Sequence, residues 1–234
     1  MKTGGAVPRR AVLRRLLSAS GLAVLSDAAF AQVIKGPLPP TMPMELGPFY
    51  PVSHPNDVDA DLTHIKGRKK RAEGDIVYVA GRVLNQAGDP VTGAKIEVWQ
   101  ANRHGRYAHA SDDSSAPLDE NFQGFAALRT DSQGQFRFKT IRPGSYAISD
   151  KERRTPHIHF DVTGKHNRIS AQMLFPGEPL NEKDLLYREL RPRLEAESMP
   201  VALADTVIAK SVPVTKEMEQ GAISLAWDIV LLNG

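Results

Sequence analysis

The chain has 234 residues, 41% hydrophobic and 24% charged, which fits an ordinary globular domain and excludes a largely disordered, collagen-like or coiled-coil chain. Cysteine is absent, which excludes disulfides, thiolate zinc sites, iron–sulfur clusters, c-type haem attachment and a cysteine nucleophile. The net charge of +3 comes from residues 1–31, where Lys2, Arg9, Arg10, Arg14 and Arg15 face Asp27 alone; the remainder carries −1, so no nucleic-acid partner is expected.

Residues 1–31 read as an export leader. A basic start with Arg9-Arg10 precedes a modestly apolar stretch from Leu16 to Leu25, and Ala29-Phe30-Ala31 offers a small-x-small cleavage site before Gln32. The apolar stretch is too short for a permanent anchor, so a membrane enters only through export. The paired arginines are similar to a twin-arginine address, which implies bacterial export of a folded protein to the periplasm or beyond. A Sec-type signal is the alternative.

Residues 32–74 read as an extended arm followed by a basic loop. Pro37, Pro39, Pro40, Pro43, Pro48, Pro51 and Pro55 exclude a regular helix or a central strand. The run Lys66-Gly67-Arg68-Lys69-Lys70-Arg71 is a solvated loop, with capture of an anionic ligand as the lesser reading. It lacks the interleaved aromatics that a single-strand nucleic-acid platform needs.

From residue 75 to 234 the pattern is all-β. Strands are expected at 76–83, 95–99, 135–139, 145–149, 157–162, 170–175 and 226–231, separated by turns such as Ala87-Gly88-Asp89-Pro90 and Asp131-Ser132-Gln133-Gly134. This spacing predicts a mainly antiparallel β-sandwich. One short helix is expected over 181–190, where Leu185, Leu186 and Leu190 recur at helical spacing.

The sharpest chemical feature is His157-Ile158-His159 inside a strand. A period of two puts both imidazoles on one face, about 7 Å apart along the chain, where they can share a metal ion. A structural pair of histidines is the plain alternative. Without cysteine, further ligands must offer oxygen or nitrogen. Asp161 shares the face, as a zinc or Fe(II) hydrolase would need. Tyr107 and Tyr146 each follow a glycine-containing turn, and a phenolate is a hard anionic ligand that favours ferric over ferrous iron.

Longer runs then carry a resemblance. Gly81, Val83, Gly88, Val91, Ile96-Glu97-Val98 and Gly105-Arg106-Tyr107 resemble the signature of the intradiol ring-cleavage dioxygenases. So do Thr140-Ile141-Arg142-Pro143-Gly144, His157-Ile158-His159-Phe160, Gln172-Met173 and Phe175-Pro176-Gly177. The resemblance spans about residues 45 to 232 and is strongest to the protocatechuate-cleaving β-subunit branch. It implies Fe(3+) held by Tyr107, Tyr146, His157 and His159, with Arg154 and Gln172 as active-site groups. It implies Gly47, Pro48 and Tyr50 at the substrate. It further implies O₂ insertion between the two hydroxylated carbons of a catechol-type aromatic, giving a muconate-type dicarboxylate. The expected assembly is a homo-oligomer or a pairing with an α-type subunit. Where that branch usually has Tyr-Pro-Trp this chain has Tyr146-Ala147-Ile148, and where it has Trp-Arg-Pro-Ala this chain has Arg153-Arg154-Thr155-Pro156. Both changes remove aromatic rings. Two other readings stand beside this one: a metallohydrolase using His157, His159 and Asp161, and a catalytically inactive binding subunit.

Overall fold

The computed structural model describes residues 37–52 and 57–232. The leader over residues 1–31 lies outside the described residues.

Two sheets stack on a shared core. The first is organised on β1 (Ile76–Asn85), which pairs antiparallel with β4 (Gln135–Ile141). The other edge of β1 pairs in parallel with β10 (Ile223–Ala226) and then β11 (Ile229–Leu231), and β9 (Lys210–Ser211) runs antiparallel beside β10. The step from β10 to β11 is possible because residue 81 is glycine. A Cβ there would lie inside contact distance of the Trp227 carbonyl, while Trp227 N–H donates to Ala80 O at 2.9 Å and Asp228 Oδ1 accepts from Arg82 N–H at 2.9 Å.

The second sheet is antiparallel throughout: β3 (Phe125–Arg129), β2 (Lys95–Trp99), β7 (His157–Thr163) and β8 (Arg168–Leu174), in that order. A small hairpin joins β5 (Tyr146–Ala147) to β6 (Arg153–Arg154). Thus the expected strand over 145–149 is only two residues long, and the one expected over 226–231 is two strands split at Trp227-Asp228. β3 was not expected, because Phe-Ala-Ala-Leu-Arg carries no β-branched residue. Its pairing with β2, from Lys95 opposite Arg129 to Trp99 opposite Phe125, overrides that preference.

Alternation along β7 decides where the chemistry sits. Ile158, Phe160 and Val162 enter the core between the sheets with Val77, Val79, Ile96 and Val98. Phe160 meets Phe138 and Trp227 there, with ring centroids 5.9 and 4.8 Å apart. Each such buried side chain contributes about 1.5–3 kcal/mol. His157, His159 and Asp161 consequently face the outer side of the second sheet. A one-residue slip would exchange the two sets, so the core itself fixes the histidine face.

That outer side is covered in two parts. One half carries α1 (Leu185–Ala196), whose Tyr187, Leu190 and Leu194 bury against Leu174, Met42 and Met44. The expected helix over 181–190 differs in its bounds. A 3-10 turn occupies Asn181–Lys183, Asp184 is extended at φ −69° and ψ 127°, and α1 starts after it. A second 3-10 helix spans Val201–Val207. The other half is covered by the loops around residues 44–50, 102–112 and 144–154. Residues 37–46 hold neither helix nor strand, and their backbone hydrogen-bonds Gln86, Val230 and Ser170 through Leu38, Thr41 and Met44. Lys66, Lys69, Lys70 and Arg71 are exposed, and Arg68 pairs with Glu120 at 3.1 Å.

Candidate metal centre

The two histidines of β7 turn their Nε2 atoms toward each other, 3.1 Å apart. The Tyr107 hydroxyl completes a triangle, 3.1 Å from His159 Nε2 and 3.4 Å from His157 Nε2. Tyr146 stands beside this triangle, its ring 5.6 Å from that of Tyr107 and 5.7 Å from that of His157.

Each donor is aimed by its surroundings. His157 Nδ1 lies 2.6 Å from the Thr155 carbonyl, which can only accept, so Nδ1 carries the proton and Nε2 presents its lone pair. His159 stacks flat on Trp99, with centroids 4.8 Å apart and planes 10° apart. Tyr107 is stacked by Phe49 at 4.6 Å, and its backbone N–H donates to Asp112 Oδ2 at 2.7 Å.

The turn before Tyr107 is organised by Asn102, which is buried. Its Oδ1 accepts from His104 N–H at 2.8 Å and Arg106 N–H at 3.1 Å, and its carbonyl accepts from Gly144 N–H at 2.9 Å. The last of these bonds ties the Tyr107 turn to the Tyr146 turn. The two turns touch backbone to backbone. A Cβ on Gly105 would lie 2.5 Å from Ser145 O, and one on Gly144 would lie 2.5 Å from Arg103 O. Gly105 also has φ +80°, a conformation that side-chain-bearing residues rarely adopt.

The donor set fits a metal ion. Bonds of about 2.0–2.1 Å place neighbouring donors about 3.0–3.6 Å apart at angles of 90–120°, which matches the triangle. Two imidazole lone pairs 3.1 Å apart in a buried site repel unless a cation or proton lies between them. Nitrogen and phenol oxygen without thiolate is a hard set, suited to a small, highly charged ion.

Electrostatics point the same way. Burial, then the Arg154 charge, lowers the His157 pKa to about 3, so the imidazole is neutral without needing a metal to displace its proton. Burial, then His157 and Arg154, hold His159 well below its ordinary value. Burial pushes Tyr107 well above 10, and Tyr146 is raised by burial while Arg154 opposes that rise. In the metal-free protein both phenols therefore stay protonated at neutral pH, and only a strong Lewis acid would ionise them.

A pH dependence of stability follows for the metal-free protein. The unfolded chain protonates His157 near 6.5, whereas the folded chain resists until about 3. The unfolded state therefore binds more protons within this window, and stability falls as pH falls. The loss is about 1.4 kcal/mol per pH unit for this group, and His159 acts in the same direction. Urea titrations of metal-free protein between pH 7 and 4 check the slope; a flat profile would contradict burial of neutral imidazoles.

Beyond the donors, Arg154 is buried. Its Nη2 donates to Gln172 Oε1 and its Nε donates to Asp184 Oδ2 at 2.9 Å. Gln172 lies opposite His159 across the β7–β8 ladder and donates from Nε2 to Glu45 O at 2.8 Å. Gly47 touches the His159 imidazole edge, since a Cβ there would sit 3.2 Å from its Cε1. Pro48 is exposed next to it. Tyr50 does not join them at the imidazole. Its hydroxyl donates to Glu97 Oε2 at 3.1 Å and its ring meets Trp99 edge-on at 5.1 Å, one ring removed from His159. Phe49 is the aromatic of this segment that stacks on the Tyr107 ring.

Asp161 belongs to a different network. Both of its oxygens accept from Arg168 Nε, at 2.9 and 3.1 Å. Among the described residues no group of three His, Cys, Asp or Glu side chains is placed to hold a metal. The hydrolase reading through His157, His159 and Asp161 is corrected accordingly: an ion pair holds the carboxylate away from the imidazoles.

The similarity to known proteins covers nearly all of the described chain. A family model described as dioxygenase matches residues 46–233. The protocatechuate 3,4-dioxygenase beta chain of Burkholderia cepacia is 36% identical over 211 residues, covering 86% of each chain. The chain belongs to the intradiol ring-cleavage dioxygenase family. Catechol 1,2-dioxygenase 1 of Acinetobacter lwoffii is 30% identical over 125 residues, 47% of this chain and 39% of that protein, so the chain spans well under half of that relative. In fold, this dioxygenase resembles hydroxyquinol 1,2-dioxygenase from Pseudomonas putida (TM-score 0.61, 18% identity, 88% of this chain and 70% of the other). It also resembles the dioxygenase domain of a Streptomyces carbohydrate-binding fusion (TM-score 0.59, 22% identity, 83% and 99%). Family membership leaves the inactive binding-subunit reading without support.

Several residues of this dioxygenase's site escaped the sequence reading. Asp184 was readable as a helix cap, since it directly precedes an apolar helical run. Asn102 was likewise readable as an Asx turn, since its Oδ1 accepts from His104 N–H two residues on, and Asp112 accepts from Tyr107 N–H five residues back, whereas Phe49 acts through a tertiary contact that no local pattern announces.

Proposed function

We propose that the chain is a non-haem Fe(III) dioxygenase that opens a catechol-type ring between its two hydroxylated carbons, giving a muconate-type dicarboxylate. The observation that carries this reading is the convergence of His157, His159 and Tyr107 within 3.1–3.4 Å, with Tyr146 adjacent, in an intradiol dioxygenase chain. When bound, ferric iron supplies Lewis acidity to a chelated diol and draws electron density from its ring toward O₂.

The residues divide the remaining work. His157 and His159 present fixed neutral nitrogens. Tyr107, buried and stacked by Phe49, is the permanent oxygen donor. Tyr146 is only partly buried and sits on a two-residue hairpin strand, so it is the group that, ionised as a metal donor, would swing aside and take a proton from the incoming diol at its phenolate oxygen. Arg154 offers a fixed positive charge to negative charge building on the ring. Gln172, itself anchored by donating to Glu45 O, holds that guanidinium from one side, while Gly47 leaves space against His159.

The B. cepacia relative acts, by its name, on protocatechuate, and a protocatechuate-like ring is the substrate class we assign. The leader read from the sequence makes this an exported enzyme. Assembly with an α-type subunit or with further copies is part of the same reading, and Ile148, two residues beyond Tyr146, is exposed at the rim. The test is the visible spectrum of the iron-loaded protein, first without oxygen and with protocatechuate or catechol, then with oxygen. A phenolate-to-iron band that shifts with one diol, followed by O₂ uptake and muconate formation, is expected. A colourless iron-loaded protein, or full turnover without metal, would overturn the assignment.

A further inference from the structure

Asp184 lies in the interior with 0% of its surface exposed, and its carboxylate is fully used. Oδ1 accepts from Leu186 N–H and Tyr187 N–H, both at 3.1 Å, and so caps α1. Capping needs only that oxygen. Oδ2 accepts from Arg154 Nε–H at 2.9 Å and from Thr155 N–H at 2.9 Å. Both residues lead into the metal centre. Arg154, 6% exposed, continues to Gln172, and the Thr155 carbonyl fixes the His157 proton at Nδ1. Thr155 is held a third time, where its Oγ1 donates to Asn181 Oδ1 at 2.8 Å.

The position has a clear physical logic. A buried guanidinium without a counter-charge is strongly unfavourable, and an arginine side chain has several rotatable bonds to lose it along. A carboxylate on Nε fixes the plane of the fork and leaves the Nη edge toward the site. The carboxylate is itself steadied by the amide end of α1. The cap of α1 thus anchors the charge that faces the candidate ligands.

We propose that Asp184 is a positioning residue: it orients the Arg154 guanidinium and the Thr155–His157 hydrogen bond, so that α1 sets the geometry of ring cleavage. The proposal rests on the dioxygenase reading for its kinetic consequence, but its structural content stands apart from it.

The test is a double-mutant cycle in the full-length iron-loaded enzyme. Asp184→Asn retains a good helix cap, so melting temperature reports the cap and turnover reports the positioning. Asp184→Asn is expected to lower kcat roughly 10–100-fold with KM within about threefold. In an Arg154→Gln background the same substitution should lower kcat by distinctly less, no more than about threefold, because the guanidinium is gone and only the Thr155 hydrogen bond is left for it to disturb. An equal loss in both backgrounds would overturn the proposal, as would a lowered melting temperature with unchanged kcat. Asp184→Ser, also a good cap, serves if the asparagine variant does not fold. A crystal structure of either variant decides the question even if the wild type cleaves no diol. A guanidinium withdrawn from Gln172 supports the positioning role while the dioxygenase reading fails; one left in place overturns the role.

Discussion

His159→Ala is expected to yield a colourless protein with turnover reduced by at least about 10³-fold. The imidazole Nε2 is within 3.1 Å of both His157 Nε2 and the Tyr107 hydroxyl, so its loss removes the donor shared by both. No neighbour can replace it. Trp99 lies flat against the ring and would face a void, and Gly47 on its edge has no side chain to offer. Iron content by atomic absorption, the visible band and O₂ uptake should fall together. Asp161→Asn is the contrast. That carboxylate is engaged with Arg168, and its loss should leave colour and turnover within about threefold, in keeping with a partly exposed ion pair. Retained colour in His159→Ala would contradict the donor role given to this imidazole, and loss of metal in Asp161→Asn would contradict the placing of that carboxylate outside the site.

Gly144→Ala is expected to disable the site without touching a ligand. The new Cβ would meet Arg103 O at 2.5 Å and Gly105 N at 2.6 Å, both backbone atoms that cannot rotate away. Ordinary contact requires the turns to part by several tenths of an ångström or more. Tyr146 is two residues from this contact and Tyr107 two residues from its other side, so the phenols separate. A misplacement of about 1 Å lowers turnover about 10²-fold, and overpacking destabilises by about 1–3 kcal/mol. Gly144 lacks the positive φ of Gly105, so its effect is steric alone, whereas Gly105→Ala adds backbone strain. Melting temperature, iron affinity and turnover should all decline in Gly144→Ala. Wild-type values for all three would show that the turns have room to spare.

These two sites mark what the sequence could and could not disclose. The histidine pair was legible because a strand's period of two is local, and Ile158 and Phe160 announce which face is the core. The sandwich was legible for the same reason, through alternation punctuated by glycine and aspartate turns. Tyr107 and Tyr146 stood out as candidates after glycine-containing turns, but only the family resemblance joined them to the histidines, because their meeting depends on two glycine turns interlocking across the sheet end. Phe49 and Tyr50 are adjacent aromatics in an irregular segment, so no local pattern says which ring reaches the donors. Which ring reaches the donors is decided by Glu97, which captures the Tyr50 hydroxyl. β3 stayed hidden because its residues favour a helix and only β2 makes them a strand. The second oxygen of Asp184 was hidden for a related reason: a cap is local, but its partner Arg154 arrives from a hairpin formed by another part of the chain.

The parallel pairing of β1 with β10 and β11 has a consequence for biosynthesis. β1 meets its parallel partners only once residues 223–231 have been made; Arg82 and Asp228, bonded at that seam, are 146 positions apart. Nascent β1 must therefore wait with one edge open, since β4 supplies only the other. Contacts of such long reach slow folding and prolong exposure of unpaired strands. Translation thus produces the β7 histidines before β10 and β11 can complete the sheet packed behind them.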